Sequence, residues 1–367
     1  MGTTPASLAG LLPAELENLL LPLPRMRASQ IYKWITRGIS SFDQMTDLPS
    51  SLREDLKSRF RLYSAAVDSC HEDAPSGGSA AKIAVALEDG LKIESVLLRD
   101  GKSRFTACLS TQAGCPAGCV FCKTGSLGFS RNLTAAEITE QFLFLRIIAS
   151  KETASKEAAS EEAAGKNGHG IDNIVIMGMG EPLLNLAELR KAIAFFTDPT
   201  GMNFSKRRIT VSTCGICDGL FDLANNGPYI RLALSLVTAD EVLRQKLMPV
   251  AAANPLAKVK QALAAFQNKG GGRITLEIPL LGGINTRDKD AIAAAQFAKG
   301  IDTVVNIIPW NPAAGLEFEG KPLCEPEKKE TENFVQLLES HGLKVTMRRR
   351  KGRSVMGACG QLGVIKR

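Results

Sequence analysis

Alternation between strand-like and helix-like segments restricts the fold of this chain more than any other feature. Short apolar runs typical of strands recur at NIVIMG (173–178), RRITVST (207–213), IRLALSL (230–236), RITLEIPLL (273–281), TVVNIIP (303–309) and LKVTMR (343–348). Amphipathic stretches of helical length lie between most of them. This order predicts a parallel sheet, either open or curled into a partial barrel. In such sheets the loops that follow the carboxyl ends of the strands carry the chemistry.

The chain before this alternation has a different character. Residues 1 to about 75 have helical spacing, as in RASQIYKWIT (27–36), and PSGGSA (75–80) is typical of a linker. We therefore expect a helical amino-terminal domain over residues 1–78 and an α/β core over residues 79–367.

Within the core, Asp89-Gly90 lies between the alternating segments KIAVALE and KIESVLL and predicts a β-hairpin. FTACLS (105–110) predicts a third strand. Thr134 and Glu137 form a capping-box pattern at the start of a helix. Residues 150–169 are rich in Ala, Glu and Lys, which indicates an exposed insertion that is partly helical or disordered and has no catalytic role.

Composition excludes several classes of protein. The apolar fraction of 44% supports a sizeable core, and no apolar stretch reaches the roughly 18 residues that a membrane span needs. The amino terminus lacks the basic start of a signal peptide, so we expect a cytoplasmic protein. Nine cysteines, an odd number, argue against a disulfide scaffold and favour metal binding or catalysis.

The net charge of +7 is mild, but part of it is concentrated in SKRR (205–208) and MRRRKGR (347–353). These clusters either neutralise phosphates or form a solvated basic surface. We expect them to lie beside the motif loops, where phosphate contacts would be useful. We expect Arg25, Arg27 and Lys33 in the amino-terminal region to form a second basic surface.

The cysteine-rich stretch Cys115-Pro-Ala-Gly-Cys119-Val-Phe-Cys122 is the strongest chemical signal in the chain. Its three thiolates follow a predicted strand and suit an iron–sulfur cluster or zinc. Closed zinc sites and redox 4Fe-4S clusters normally have four protein ligands, so three would leave one iron open. A zinc site with a distant fourth cysteine is the alternative.

The C-x3-C-x2-C spacing, with an aromatic residue before the last cysteine, resembles the radical S-adenosylmethionine (SAM) superfamily. The resemblance implies a partial (β/α) barrel, a 4Fe-4S cluster on Cys115, Cys119 and Cys122, and SAM chelated by the open iron. Reductive cleavage of SAM would then give a 5′-deoxyadenosyl radical. The glycine-rich stretch GMGEP (178–182) is similar to the loop with which that superfamily meets the SAM amino group.

Further stretches resemble the dual-specificity ribosomal and transfer RNA adenine-C2 methyltransferases, a family of radical SAM enzymes. These stretches are CLSTQAGC (108–115), GFSRNLT (128–134), GMGEPLLNL (178–186), SKRRITVST (205–213), NIIPWNP (306–312), ACGQL (358–362) and the amino-terminal RASQIYKWI and SFDQMTDLPSSLR. The antibiotic-resistance C8 methyltransferases share most of the core motifs, so C8 methylation stays open here. A non-catalytic iron–sulfur or zinc RNA-binding protein is a third reading.

The resemblance assigns three catalytic residues. It implies that Cys359 carries a methyl group from one SAM as a thioether, and that Cys108 later attacks the Cys359 sulfur to form a disulfide and free the product. Glu94 in KIESV would take the proton from carbon 2 of the base. Without the resemblance, Glu94 is an ordinary carboxylate on a strand surface.

The same resemblance implies that SAM is bound by Gly180, Glu181, Ser212, Ser235, Leu236, Val237 and Asn311. Val237 departs from the family, which commonly has His there, so a side-chain hydrogen bond would be lost while a backbone contact would survive. Arg353-Ser354 also departs, since acidic residues are common there.

The remaining cysteines are interpreted as packing residues without a chemical role. A lone cysteine is usually a small buried apolar residue, which is our interpretation of Cys70 and Cys324. Cys214 and Cys217 form a CxxC after a strand, for which packing is favoured over a redox or metal role.

The expected partners are ribosomal and transfer RNA and an electron donor such as flavodoxin. The chain would act as a monomer without a membrane. Because the target base must leave its stack and aromatic residues make up only 5% of the chain, we expect RNA shape and backbone to be recognised.

Overall fold

The structure, a computed structural model, describes residues 5–73, 80–100, 104–157, 170–347 and 355–363. The linker at 75–79, most of the insertion at 158–169 and the basic stretch at 348–353 lie outside the described residues, as does Arg353-Ser354. No helix among the described residues is both long enough and apolar enough to cross a membrane.

In chain order the strands are β1 (Ala6–Ser7), β2 (Phe60–Arg61), β3 (Ala66–Glu72), β4 (Ala80–Ala86), β5 (Lys92–Asp100), β6 (Arg104–Cys108), β7 (Gln112–Gly114), β8 (Phe129–Asn132), β9 (Asn173–Ile176), β10 (Ile209–Thr213), β11 (Arg231–Ser235), β12 (Ile274–Leu280), β13 (Thr303–Pro309), β14 (Glu317–Phe318), β15 (Lys321–Pro322) and β16 (Val345–Met347). The helices are α1 (Pro13–Leu19), α2 (Arg25–Arg37), α3 (Ser50–Arg59), α4 (Lys123–Ser126), α5 (Ala135–Glu157), α6 (Leu186–Thr197), α7 (Cys217–Asn226), α8 (Glu241–Leu247), α9 (Leu256–Asn268), α10 (Asp288–Ala298) and α11 (Lys328–Ser340).

One ten-stranded sheet organises the core, in the order β16-β13-β12-β11-β10-β9-β6-β5-β4-β3. Within this sheet, β6, β9, β10, β11, β12, β13 and β16 pair in parallel. Strands β3, β4, β5 and β6 pair antiparallel. Residues of β6 and the end of β13 line one cavity although several strands separate them, so the sheet is curled. The predicted partial (β/α) barrel is confirmed.

Strand alternation separates the apolar shell from the barrel interior. On β10, Ile209 and Val211 are buried, while Thr210 and Ser212 line cavities inside the barrel. On β6, Phe105 and Ala107 are buried in the same way. Because successive side chains point to opposite faces of a strand, one face packs against the apolar core and the other lines the interior.

The amino-terminal region is helical, as expected, but its predicted extent is too long. Helix α2 buries Ala28, Ile31 and Ile35 and ends at Gly38, whose φ of +77° permits the left-handed C-cap. The prediction of helix up to residue 75 is wrong, because β3 pairs with β4 in the main sheet. Strand β3 lies at the sheet edge with mostly exposed side chains, so it has no apolar alternation to reveal it. The domain division at residue 78 stays a prediction.

The local signals in the core are confirmed. Strands β4 and β5 form the predicted hairpin around Asp89-Gly90, and β6 pairs with β5. At the start of α5, the Glu137 amide donates to Thr134 Oγ1 (3.2 Å) and the Thr134 amide donates to Glu137 Oε2 (2.9 Å), which completes the capping box.

Candidate active site

The cysteine loop connects β7 to α4 and is fixed from three sides. The Cys115 amide donates to the Gly128 carbonyl (2.8 Å), the Val120 amide donates to the Leu247 carbonyl at the end of α8 (3.0 Å), and Trp310 Nε1 donates to the Phe121 carbonyl (2.9 Å). Gly114 has a φ of +79°, and a Cβ there would lie 2.0 Å from the Gly128 carbonyl oxygen. The sequence therefore holds a compact loop that only glycine can close at this point.

Cys115, Cys119 and Cys122 line one cavity of about 170 Å³, which we call the cluster cavity. Other members of its wall are Gly180, Glu181, Ser212, Cys214, Ser235, Glu277, Asn311 and Cys359. The structure thus brings together the three predicted cluster ligands and five of the seven predicted SAM contacts. Leu236 and Val237 are buried behind this wall and do not line it.

The thiols of the loop fit a cationic iron–sulfur group. Burial raises the pKa of Cys115 to about 12 and also raises the pKa values of Cys119 and Cys122. An iron cluster supplies the positive charge that makes buried thiolates favourable. Among the described residues, no three His, Cys, Asp or Glu side chains form a group suited to a single metal ion, whereas a cubane cluster takes one sulfur on each of three separate irons.

Glu181 is buried and already accepts hydrogen bonds from its own chain. Its Oε1 accepts from Thr213 Oγ1 (2.7 Å) and from the Leu183 amide (3.0 Å), and its Oε2 accepts from the Cys214 amide (2.7 Å). Burial raises its pKa, although these donors act in the opposite direction. The carboxylate joins GMGEP to the end of β10, and Glu181 also lines the cluster cavity.

The predicted SAM segment at 235–237 adopts a strained backbone. Val237 has a φ of +63°, which is rare for a β-branched residue. Asn285 Nδ2 donates to the Val237 carbonyl (2.8 Å), and Arg244 Nε donates to the Leu236 carbonyl (3.2 Å). Strain of this kind persists at functional sites because the surrounding contacts hold it.

Three residues that sequence reasoning missed support this site. Arg244 is fully buried and also donates through Nη2 to the Cys214 carbonyl (2.7 Å). Glu277 lines the cluster cavity and accepts from Ser212 Oγ (3.2 Å). Trp310 holds the cysteine loop. A charged residue within the apolar run RITLEIPLL was a signal that could have identified Glu277.

The carboxyl-terminal stretch 355–363 packs on the cysteine loop. The Lys123 amide donates to the Gly360 carbonyl (2.8 Å), and Thr124 Oγ1 donates to the Leu362 carbonyl (2.6 Å). Asn311 Nδ2 donates to the Cys359 carbonyl (3.2 Å). These contacts keep Cys359 beside the cluster ligands.

A second cavity of about 480 Å³ extends along the barrel interior, and we call it the lumen cavity. Cys108 and Cys359 line it together. Cys359, Asn311, Met177 and Ile308 line both cavities, so Cys359 lies where the two cavities meet.

All nine cysteines belong to the described residues, and each is a reduced thiol in this structure. The disulfide between Cys108 and Cys359 that the resemblance implied is therefore not present. Cys214 and Cys217 are buried, as packing requires, but Cys70 and Cys324 are exposed, so their interpretation as buried residues is wrong. Both sit at solvent-facing positions, Cys70 on edge strand β3 and Cys324 in the loop after β15.

Glu94 is buried on β5 and lines neither cavity. Its Oε1 lies 2.8 Å from Lys82 Nζ, and its Oε2 accepts from the Gly363 amide (2.7 Å). This hydrogen bond connects the predicted base to the stretch that carries Cys359, which lies four residues before Gly363. Its catalytic role stays a prediction.

The basic cluster SKRR lies elsewhere than expected. Lys206–Arg208 form a short turn directly before β10, at the amino-terminal end of the parallel strands and away from the cysteine loop. The expectation that it lies beside the motif loops is therefore wrong, because the direction of the parallel strands places it at their amino-terminal ends, whereas the motif loops follow their carboxyl ends. Arg25, Arg27 and Lys33 lie on α2, and their role in RNA binding stays a prediction.

Comparisons with known proteins agree with this geometry. The radical SAM superfamily model matches residues 109–295, and the model of the ribosomal RNA large subunit methyltransferase N-terminal domain matches residues 8–62. A Treponema denticola protein named probable dual-specificity RNA methyltransferase RlmN is 45% identical over 97% of this chain and 95% of its own length. A Moorella thermoacetica protein of the same name is 40% identical over 98% of both chains. The crystal structure of a radical SAM methyltransferase from Sphaerobacter thermophilus has a TM-score of 0.87 at 34% identity, covering 98% of this chain and 99% of that one.

Proposed function

The chain belongs to the dual-specificity RNA methyltransferase family of the radical SAM superfamily, and we propose that it methylates carbon 2 of an adenosine in ribosomal RNA and in certain transfer RNAs. Its cofactors are a 4Fe-4S cluster and SAM. The position of Cys359 carries the proposal, because this residue lines both the cavity of the cluster ligands and the adjoining lumen cavity. Neither C8 methylation nor a non-catalytic RNA-binding role is favoured by the comparisons.

The chemistry of the base requires a carrier of this kind. Carbon 2 of adenine is an electron-poor sp² centre without an acidic proton, so direct nucleophilic attack on a methyl donor fails. When bound, the cluster and SAM supply a methyl group and a 5′-deoxyadenosyl radical. Cys359 accepts the methyl group on its sulfur, and its place at the junction presents that carbon to a base in the lumen cavity.

Cys108 and Glu94 complete the proposed sequence. Cys108, at the end of β6, lines the lumen cavity with Cys359. Its thiolate attacks the Cys359 sulfur, so that an S–S bond forms as the bond between that sulfur and the transferred carbon breaks. The released carbon takes up a proton and stays on the base as its methyl group. Glu94 accepts the proton that leaves carbon 2, and its bond to the Gly363 amide supports a position near the reactive stretch. Lys82 holds the carboxylate of Glu94.

Gly180, Glu181, Ser212, Ser235 and Asn311 bind SAM in this proposal, since they share a wall with the cluster ligands. Leu236 and Val237 contribute through their backbone. We also propose that a flavodoxin-type protein donates the electrons and that the chain works in the cytoplasm as a monomer.

The test compares Cys359→Ala with Cys324→Ala, which removes an exposed cysteine outside both cavities. We expect the Cys359→Ala protein to keep its iron but to lose methyl transfer from labelled SAM to protein and to RNA. Cys324→Ala should retain both. Mass spectrometry of digested RNA should find 2-methyladenosine after reaction with the unchanged protein. RNA methylation by the Cys359→Ala protein, or 8-methyladenosine as product, would contradict the proposal.

A further inference from the structure

The amino-terminal ends of the parallel strands carry a set of exposed cations. We call Arg104, Lys206, Arg207 and Arg231 the basic rim; they lie at or just before the starts of β6, β10 and β11. Within the described ranges, Lys206, Arg207 and Arg231 have no ion-pair partner, while Arg104 pairs with Asp100 (2.9 Å). Three cations on this edge are therefore free to contact an external anion.

The opposite end of the barrel differs in charge. There, Lys246 pairs with Glu319 (2.7 Å) and Arg287 pairs with Asp290 (2.8 Å). These pairs border another cavity, formed by the loops after β11, β12 and β13. Lys246 and Arg287 are thus compensated within the chain, whereas Lys206, Arg207 and Arg231 have no ion pair among the described residues.

The lumen cavity connects the basic rim to the reactive cysteine. Arg104, Asn173 and Arg231 line its amino-terminal end, and Cys108 and Cys359 line its other end. Strand β6 runs along the cavity from Arg104 to Cys108, four residues or about 13 Å. Thr106 and Thr210 add hydroxyl groups between the two ends.

We propose that RNA docks on the amino-terminal face of the barrel, with its phosphates on the basic rim, and that the extruded adenosine extends through the lumen cavity to Cys359. This inference rests on the proposed function. The two reactants then approach Cys359 from opposite ends, SAM through the cluster cavity and the base through the lumen cavity. Asn173 and Thr210 offer hydrogen bonds to the sugar or base edge on the way.

Arg231 is the residue on which the proposal can be tested, because it belongs to both the rim and the cavity wall. Arg231→Glu should weaken binding of a cognate RNA fragment tenfold or more, since it replaces a phosphate contact with a repulsion. Arg231→Gln should reduce the slope of log affinity against log salt by about 1. Lys289→Glu, the same charge reversal at the opposite end of the barrel, should change neither quantity.

Arg207→Glu provides a second variant outside the cavity wall, in case Arg231→Glu does not fold. It too should weaken RNA binding severalfold, with a reduced salt slope. Methyl transfer from SAM to Cys359 needs no RNA, so it checks that each variant is folded and contains its cofactors.

RNA affinity within twofold of the unchanged protein for both rim variants would overturn the proposal, as would a larger loss for Lys289→Glu. Unchanged RNA binding with slower reduction by flavodoxin would assign the rim to the electron donor and also overturn it. If the unchanged protein bound RNA through the rim but methylated no adenosine, the proposed function would fail while the docking face would stand.

Discussion

The cluster cavity and the lumen cavity differ in how firmly their walls are held. The cluster cavity is the smaller, and its polar residues, such as Glu181 and Ser212, are fixed by hydrogen bonds within the chain. The lumen cavity is larger and ends among exposed cations such as Arg231. The comparison indicates that the residues for the small cofactor are preorganised by hydrogen bonds. The residues for the large RNA attract it electrostatically, through exposed cations at the cavity entrance.

Removing one cluster ligand should have the largest effect. We expect Cys119→Ala to lose the cluster and with it all methyl transfer, because only two of the four irons would then have a protein thiolate. Cys214→Ala is the matched control, since Cys214 is a buried cysteine in the same wall. Iron and sulfide analysis after anaerobic reconstitution measures both. Loss of iron from the Cys214→Ala protein would make Cys214 a fourth ligand and remove the open iron.

Filling the space at Gly180 should destabilise the cluster cavity next most strongly. Gly180 has a φ of +106°, and a Cβ there would lie 2.6 Å from Gln112 Cβ and 2.8 Å from the Gln112 amide nitrogen. Gly180→Ala should lower the free energy of unfolding by about 3–5 kcal/mol, from backbone strain plus overpacking. Gly315→Ala, with a φ of +77° and open space around it, should cost only about 1–2 kcal/mol. Equal losses in anaerobic denaturant titrations would mean that the close approach to Gln112 is unimportant.

Arg244 tests whether the wall behind the SAM segment matters for binding. Arg244→Gln removes donors to the Leu236 and Cys214 carbonyls, which should cost about 2–3 kcal/mol of stability and weaken SAM binding. Arg146→Gln alters another buried arginine, which donates to the Thr36 carbonyl in α2. It should destabilise the protein similarly but leave SAM affinity unchanged. SAM affinity is measured by calorimetric titration. An equal loss of affinity in both variants would show that the loss follows from general destabilisation instead.

Much of this arrangement followed from the sequence, and its exceptions have physical reasons. The strands of the core and the cysteine loop carry strong local patterns, and both were predicted. Edge strand β3 was missed because its mostly exposed side chains show no apolar alternation. Glu277 and Arg244 were missed because their neighbours come from other strands and helices.

The placement of basic residues was harder to predict than their presence. The charge of SKRR is visible in the sequence. Which end of the parallel strands it occupies depends on strand direction, which local composition does not reveal. The turn Lys206–Arg208 precedes β10 and so lies at the amino-terminal edge. Parallel topology thus separates residues that are close in sequence, such as Arg208 and Ser212, into opposite ends of one barrel.

The smallest expected effect concerns Asn173, which lines the amino-terminal end of the lumen cavity. If the base passes Asn173, Asn173→Ala should raise the KM for RNA about 2- to 10-fold, the worth of one neutral hydrogen bond. The kcat should change little, because Asn173 lies at the far end of the cavity from Cys359. Asn333→Ala, which removes an exposed amide paired with Asp288 on α10, is the control. A fall in kcat with an unchanged KM would instead show that Asn173 helps to position Cys359. The lumen cavity would then serve the reaction step as the cluster cavity does, and the contrast between the two would fail.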